Sequence, residues 1–242
     1  MIKNNKIDLD YIPEYSKNVP FVKNIIFYPL NFNYADEIKD NEKENDIPRI
    51  AHLIWVGDNA RPDYFDNNVN KWKELMPLWE IRVWTNEDIT VEHFPEKVIK
   101  VLSTVNKGAQ KADIMRYFIV EKYGGVYLDS DITPHRSLEI LKTKIPDAKV
   151  ILCHDLPLTW QYISIGFFAA VPHHPLFQLA TELVMNVPLN TEDLHMKTGP
   201  RLLGEAVYHL SGHKLILLPH EYFYRNLHYD QRFGHHFYAK QW

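Results

Sequence analysis

At 242 residues, and with about 150 residues as the usual size of a domain, the chain has room for one large or two modest domains. Its 27 Lys and Arg against 31 Asp and Glu give a net charge of −4, and 45% of its residues are hydrophobic with 24% charged; this balance excludes a polyanion binder and a disordered chain. Cys153 is the only cysteine, so neither an intrachain disulfide nor a multi-cysteine metal cluster can form, and a reducing, cytoplasmic setting is the expectation.

In chain order, residues 1–46 are rich in Asn, Lys, Asp and Glu and end in the charged run DEIKDNEKEND (36–46), which reads as an arm and solvated linker. The start MIKNNKIDLD lacks the apolar stretch of a secretory signal. The compact domain is expected over 47–242. Ile50–Val56 (IAHLIWV) reads as a buried strand closed by Gly57-Asp58. Asp66–Met76 has apolar residues at helical spacing and stops at Pro77. Trp79–Trp84 alternates as a second strand. Glu96–Val105 and Gln110–Tyr123 read as helices, the latter ended by Gly124-Gly125 as a left-handed cap, followed by a short strand over Val126–Asp129. Further strands are expected at Lys149–Cys153, Tyr162–Val171 and Lys214–Leu218, and helices at Pro175–Val187 and Pro200–Leu210. The alternation predicts an α/β domain with a mostly parallel central sheet flanked by helices. The longest apolar run, Ile163–Val171, falls well short of the roughly 20 residues a membrane span needs.

The densest cluster of unusual residues is AQKADIMRYFIVEKYGGVYLDSDIT (109–133). Asp113 and Arg116, three apart on a helix, share one face. Asp129 and Asp131 follow an apolar strand, and alternate residues of an extended segment point the same way. Two carboxylates placed together repel unless a cation or proton lies between them. Hard oxygen ligands suit Mg²⁺ or Mn²⁺, which take further ligands from substrate phosphates. Ligands of open α/β sheets lie beyond the carboxyl ends of strands, where this pair would be. Read without that context, Asp129 and Asp131 are turn residues and Asp113–Arg116 a surface pair; Trp55 is equally a core residue or a platform for a base. Thr198-Gly199-Pro200-Arg201 reads as a helix start whose end could face an anion.

Taken together, IPRIAHLIWVG (47–57), the spacing of Trp72 and Pro77, AQKADIMRYFIVEKYGGVYLDSDITP (109–134) and the tail HFYAKQW (236–242) resemble glycosyltransferase family 32. This is a family of DxD sugar transferases of GT-A fold, related to the glucosylating clostridial toxins. The resemblance implies a single GT-A (Rossmann-like) domain and a retaining transferase. It would move a hexose or N-acetylhexosamine from a nucleoside diphosphate sugar, a UDP-sugar ahead of GDP-mannose, to a glycan, lipid-linked or protein hydroxyl, as in polysaccharide biosynthesis. It implies that Trp55 lies against the base, that Asp113 and Arg116 hold the sugar and ribose side, and that Tyr127 borders the donor. Asp129 and Asp131 would carry Mn²⁺ or Mg²⁺ and the diphosphate. A C-terminal lid would bring His236 to the metal and Trp242 to the donor. Asp131, Asp129 and Arg116 are thus the expected catalytic group, and retention requires no carboxylate base. Two positions depart from the family's pattern: Ala112 stands where a serine is usual, and Gln241 precedes the last tryptophan where a serine is usual. No nucleic-acid partner and no transmembrane segment are expected; peripheral contact with a membrane is compatible with the sequence.

Two other readings stay open on the residues. VYLDSDIT also matches the first motif of haloacid-dehalogenase phosphatases, with Asp129 as nucleophile and Asp131 as acid and base, although the downstream acidic pair that such a site needs is hard to find. A sugar-nucleotide binder without turnover would use the same residues.

Overall fold

In a computed structural model, the residues described are 2–3, 6–7, 25–27, 46–154, 163–188, 197–210, 214–224 and 232–239. Two short strands, β1 (Ile2–Lys3) and β2 (Lys6–Ile7), pair antiparallel with each other. The main elements follow as β3 (Ile25–Phe27), β4 (Ile50–Ile54), α1 (Asp63–Leu75), β5 (Glu80–Trp84), α2 (Glu96–Thr104), α3 (Gly108–Tyr123), β6 (Gly125–Leu128), β7 (Ile132–Pro134), α4 (Glu139–Lys144), β8 (Val150–His154), β9 (Ile163–Ala170), α5 (Pro175–Met185), α6 (Pro200–His209), β10 (Leu215–Leu218) and β11 (Gly234–His236). One seven-stranded sheet runs β3-β10-β8-β9-β6-β4-β5. Every neighbouring pair in it is parallel except those of β9, which runs against both β8 and β6. The mostly parallel α/β sheet expected from the sequence is thus observed. Among the described residues no helix is long and apolar enough to cross a membrane.

The inner strands β6, β8, β9 and β10 are buried throughout because both faces of the sheet are covered. Along β10, Leu215 and Leu217 enter one core while Ile216 and Leu218 enter the other. The first core lies beneath α2, α3, α5 and α6 and takes Val98, Ile119, Phe177 and Leu203. The second receives Phe65, Val69 and Trp72 of α1 and Leu141 of α4. The helix α3 is the central one: Asp113 through Val120 are all buried. A helix enclosed on every side shows no amphipathic period, and its charged residues must find partners inside.

The turn from α3 to β6 requires its two glycines. Gly124 (φ 63°) and Gly125 (φ 82°) are both in the left-handed region. A Cβ on Gly124 would lie 2.7 Å from the Pro172 nitrogen, and one on Gly125 would lie 2.4 Å from the Ile50 carbonyl. The strand can therefore enter the sheet directly beneath β4. His52 of β4 stabilises the same corner: its Nε2 donates to the Gly124 carbonyl (2.9 Å) and its Nδ1 accepts from Trp84 Nε1 (3.1 Å). Only the neutral ring, protonated on Nε2, satisfies both contacts.

Burial, aided by the charge of Arg82, pulls the His52 pKa from 6.5 down to about 4, against the opposing effect of the Gly124 carbonyl. The neutral ring therefore supports the fold fully above pH 6.5. Between pH 6.5 and about 4 the unfolded chain takes up a proton that the folded one refuses, so this contribution is lost as pH falls, by about 3 kcal/mol at most. His52→Gln, which keeps a donor and an acceptor but does not titrate, is expected to flatten the decline of urea-unfolding stability over that window. Identical slopes for the two proteins would contradict the assignment.

Two departures from the sequence reading bear on the site. The helix expected from Asp66 begins three residues earlier, after Pro62, with Asp63 and Asp66 both in its first turn, where their charge favours the helix start. The ladder between β8 and β9 is interrupted: His154 pairs with Ile163, but Leu152 pairs with Phe168. The extra residues of β9 over Ser164–Gly166 form a bulge beside the site, a device common next to active sites.

Candidate active site

A cavity of about 370 Å³ opens at the carboxyl ends of β4 and β6. Trp55, Asp113, Arg116, Tyr127, Asp129 and His236 line it, together with Gly166 on the bulge of β9. Most of the residues singled out in the sequence are thereby brought to one place. Asp131 lies immediately behind the wall, fully buried. Trp242 lies outside the described residues. Trp55 is half-buried, with its ring edge toward Phe65 at 5.6 Å and its Nε1 donating to the Asn59 carbonyl at 3.0 Å, which fixes the indole at the cavity rim.

The DxD carboxylates converge by a different route from the one expected. Asp129 still belongs to the ladder through its N–H to the Gly166 carbonyl (2.8 Å), but the chain then turns, with Ile132 N–H donating back to the Asp129 carbonyl at 3.1 Å. A tight turn, rather than alternation along a strand, aims both side chains inward. Buried Asn68 of α1 holds this turn by donating to the Ser130 carbonyl at 3.0 Å. The antiparallel pair of β7 and β11 then carries His236 onto the same spot, with His236 opposite Ile132. The tail is strapped down by Asp131, whose carbonyl accepts from Phe237 N–H (3.3 Å) and whose Oδ2 accepts from Ala239 N–H (2.8 Å).

One ligand atom from each of Asp129, Asp131 and His236 lies within 4.8 Å of the others. His236 Nε2 is 2.9 Å from Asp131 Oδ1 and 3.5 Å from Asp129 Oδ2. The closer approach lacks hydrogen-bond alignment, so Asp131 Oδ1 and both His236 ring nitrogens are buried without a hydrogen-bond partner. Burial alone would lower the His236 pKa, but the two carboxylates outweigh it and raise it to about 9; without a metal the site holds a proton between its acids. Orphaned buried donors and acceptors of this kind are costly. Two carboxylates and an imidazole form a donor set that suits a divalent cation of the Mg²⁺, Mn²⁺ or Zn²⁺ type, and a cation placed among them would take the place of that proton.

Arg116 ties this group to α3. Its Nη1 donates to Asp129 Oδ1 (3.2 Å) and to the Ile165 carbonyl (2.7 Å), its Nη2 to Asp113 Oδ1 (2.7 Å) and its Nε to the Ala112 carbonyl (3.2 Å). Of the five guanidinium N–H groups, the fifth, on Nη2, has no hydrogen-bond partner among the described residues. The guanidinium carbon also lies 4.6 Å from the Tyr127 ring centre, and the Tyr127 hydroxyl donates to Asp129 Oδ1 at 2.8 Å. Burial pushes the Asp129 pKa up, but Arg116, His236 and Tyr127 together pull it below the usual carboxylate range. Asp129 is therefore a fixed anion. Asp113, also buried, accepts from Thr198 Oγ1 through its second oxygen (3.1 Å).

Residue spacing does not point to Asn68, Gly166 or Tyr224. A Cβ on Gly166 would come within 2.9 Å of both Asp129 Oδ2 and the Tyr224 hydroxyl, so the absence of a side chain there makes room for the carboxylate. A lone glycine inside an apolar strand is the signal that could have revealed it. Tyr224 contacts Ser164 through its hydroxyl, and its ring stands edge-on to His236 at 5.4 Å. Tyr238, whose ring lies 4.2 Å from that of His236, has φ 53°, an uncommon conformation for a residue with a side chain.

A parallel sheet with one reversed strand and an acidic–imidazole group at its carboxyl edge defines the class of GT-A sugar-transferase folds. The solved structures agree. The chain matches the PaToxG glycosyltransferase with a TM-score of 0.58 at 14% identity, over 68% of this chain and 70% of that one. It matches a glycosyltransferase involved in glycosylation of the major capsid of PBCV-1 with a TM-score of 0.50 at 13% identity, over 79% and 94%.

Within that class, residues 62–151 match the family described as the glycosyltransferase sugar-binding region containing the DXD motif, in keeping with the resemblance to glycosyltransferase family 32. Inositol phosphoceramide mannosyltransferase 1 of Schizosaccharomyces pombe is 31% identical over 160 residues, covering 63% of this chain and 48% of that protein. Mannosyl phosphorylinositol ceramide synthase SUR1 of Saccharomyces cerevisiae is 28% identical over 177 residues, covering 66% and 44%. The chain spans about half the length of these relatives.

Proposed function

We propose that the chain transfers a hexose from a nucleoside diphosphate sugar to a hydroxyl acceptor, with a divalent cation, Mn²⁺ or Mg²⁺, held by Asp129, Asp131 and His236. The observation that carries this reading is the buried group of Asp131 Oδ1 and His236 nitrogens lacking hydrogen-bond partners, set at the back of a cavity that Arg116, Tyr127 and Trp55 also line. When bound, such an ion neutralises the charge that builds on a departing diphosphate, an effect worth several kcal/mol.

The chain's own residues supply the rest. Arg116 holds a fixed positive charge beside Asp129 at the wall of the cavity. Asp113 lines the same cavity beside Arg116, where a sugar would lie. Trp55 at the rim offers its indole ring for stacking with a base. Retention of configuration requires no carboxylate base, because the leaving phosphate can accept the acceptor's proton. Asp129, clamped by two donors on one oxygen, is a poor nucleophile, which disfavours the phosphatase reading. The names of the relatives put mannose forward as the sugar beside the UDP-hexoses, and a phosphoinositol-bearing lipid forward as one acceptor class beside glycans and proteins.

Hydrolysis without an acceptor tests the proposal. Incubated with Mn²⁺ and a panel of GDP-mannose, UDP-glucose, UDP-galactose and UDP-N-acetylglucosamine, the protein is expected to release nucleoside diphosphate from one donor. Binding without release would mark a silent sugar-nucleotide binder. Phosphate release from a phosphomonoester, with no nucleoside diphosphate from any donor, would mark a phosphatase.

A further inference from the structure

Beyond Ile54 the chain leaves β4 and runs along the cavity, where Trp55, Gly57, Asp58 and Asn59 form part of the lining. Trp55 N–H donates to the Trp84 carbonyl at 2.8 Å, which carries the ladder between β4 and β5 one bond further. The next hold on this loop is a side chain. Gly57 N–H donates to Asn86 Oδ1 (2.9 Å), and the Gly57 carbonyl accepts from Asn86 Nδ2 (2.9 Å). The carboxamide thus meets Gly57 as a neighbouring strand would, taking the N–H and the C=O of one residue together. A carboxamide can do so because it carries an acceptor and a donor side by side.

Asn86 is itself fixed. It opens a single 3₁₀ turn (Asn86–Asp88) after β5, closed by Thr85, whose N–H and hydroxyl both donate to Asp88 Oδ2 (2.8 and 3.1 Å). From the other side the loop is pressed by the start of α3. Gly57 has φ 103°, and a Cβ on it would lie 3.0 Å from Gly108 Cα; a Cβ on Gly108 would lie 2.1 Å from the Val56 carbonyl. Backbone therefore touches backbone where Gly57 meets Gly108, and both residues line the cavity. Asn86 is exposed and is not part of that lining. Water competes for exposed hydrogen bonds, so the pair adds little to global stability; its effect is on the conformation that the loop keeps.

We propose that Asn86 is a positioning residue for donor binding: its two-sided clamp on Gly57 holds the loop of residues 55–59 in the form that presents Trp55 to the base of the donor. This rests on the sugar-transfer reading above. With the loop ordered in advance, the donor does not bear the cost of ordering it. Loss of the clamp therefore weakens donor binding and leaves the chemical step alone, since Arg116 and the DxD pair are carried by other segments.

The test compares wild type with Asn86→Ala, which removes both bonds, and Asn86→Asp, which keeps the shape and the acceptor but sets a second oxygen against the Gly57 carbonyl. Measured on each are kcat and KM for acceptor-independent donor hydrolysis, calorimetric affinity for GDP and UDP in Mn²⁺, affinity for Mn²⁺ alone, and the thermal midpoint. Asn86→Ala is expected to raise KM about 10-fold with kcat within about twofold of wild type, the pattern of lost binding that ground state and transition state share. Affinity for the nucleoside diphosphate should fall in parallel, and Mn²⁺ affinity should not change. Asn86→Asp is expected to do the same, and it carries the test alone if the alanine variant does not fold. Unchanged KM and nucleotide affinity in the variants would overturn the role, and so would a fall in kcat at constant KM. A lowered thermal midpoint with nucleotide and Mn²⁺ affinity lost together would also overturn it, since that pattern marks a residue needed only for folding. A wild type that neither turns over any donor nor binds GDP or UDP would overturn the parent reading and this role with it. An active wild type matched by both variants would overturn this role alone.

Discussion

Asparagine at position 131 is expected to abolish sugar-nucleotide turnover while the protein stays folded. The Asp131 side chain has two separate tasks, one on each oxygen. Oδ2 accepts the Ala239 N–H, and an amide oxygen can take over that bond, so the tail strap survives. Oδ1 faces His236 with no hydrogen bond of its own, and here the substitution replaces an anionic acceptor by an NH₂ group that cannot ligate a cation. Several kcal/mol of charge stabilisation would vanish with the ion, so the loss should reach about a thousandfold or more. The thermal midpoint in EDTA should move by only a few degrees. Calorimetry with Mn²⁺ alone should show weakened binding in parallel. A variant that turns over donor at the wild-type rate in EDTA would sink the metal role of the DxD pair.

The contrast between Asp131 and Asn68 shows which parts of the site the sequence can disclose. Asp129 and Asp131 stand out because two acids after an apolar strand are chemically conspicuous, and Asp113 and Arg116 because three-residue spacing on a helix brings their side chains together. The parallel sheet is legible for a similar local reason: its apolar strands alternate with helices. Asn68, Ser164, Gly166 and Tyr224 reach the site through contacts between segments far apart in the chain, and no local period records them. The reversal of β9 is hidden likewise. Its run of apolar residues reads the same in either direction, and only its pairing with β6 and β8 sets its orientation. The bulge at Ser164–Gly166 left one trace, a glycine in an otherwise apolar strand. The DxD pair converges through a turn where the sequence suggests a strand, because two residues that alternate on a strand and two residues in a tight turn look alike in one dimension.

That distinction affects stability as well as chemistry, since a turn offers its two acids to the interior only if something cationic meets them there. In this fold Arg116 meets Asp129, and His236 meets both Asp129 and Asp131. Arg116→Ala is expected to destabilise the protein by about 3–5 kcal/mol, the scale for removing one partner from a buried ion pair. It leaves buried Asp113 and half-buried Asp129 without their shared cation and the Ile165 carbonyl without its donor. Arg116→Lys is not a conservative replacement: an ammonium has three donors at one point, whereas the guanidinium reaches the Ala112 and Ile165 carbonyls and two carboxylates across a planar fork. The lysine variant is expected to fold with reduced stability and to lose at least about 100-fold in donor turnover, as Asp113 and Asp129 move relative to one another. The exposed pair of Arg61 and Asp66, 3.2 Å apart, is the control, and Arg61→Ala should cost no more than about 1 kcal/mol. Urea unfolding at pH 7 separates the cases. If Arg116→Ala proved no less stable than Arg61→Ala, the acids would not depend on the guanidinium, and its place as the link between α3 and the DxD turn would have to be given up.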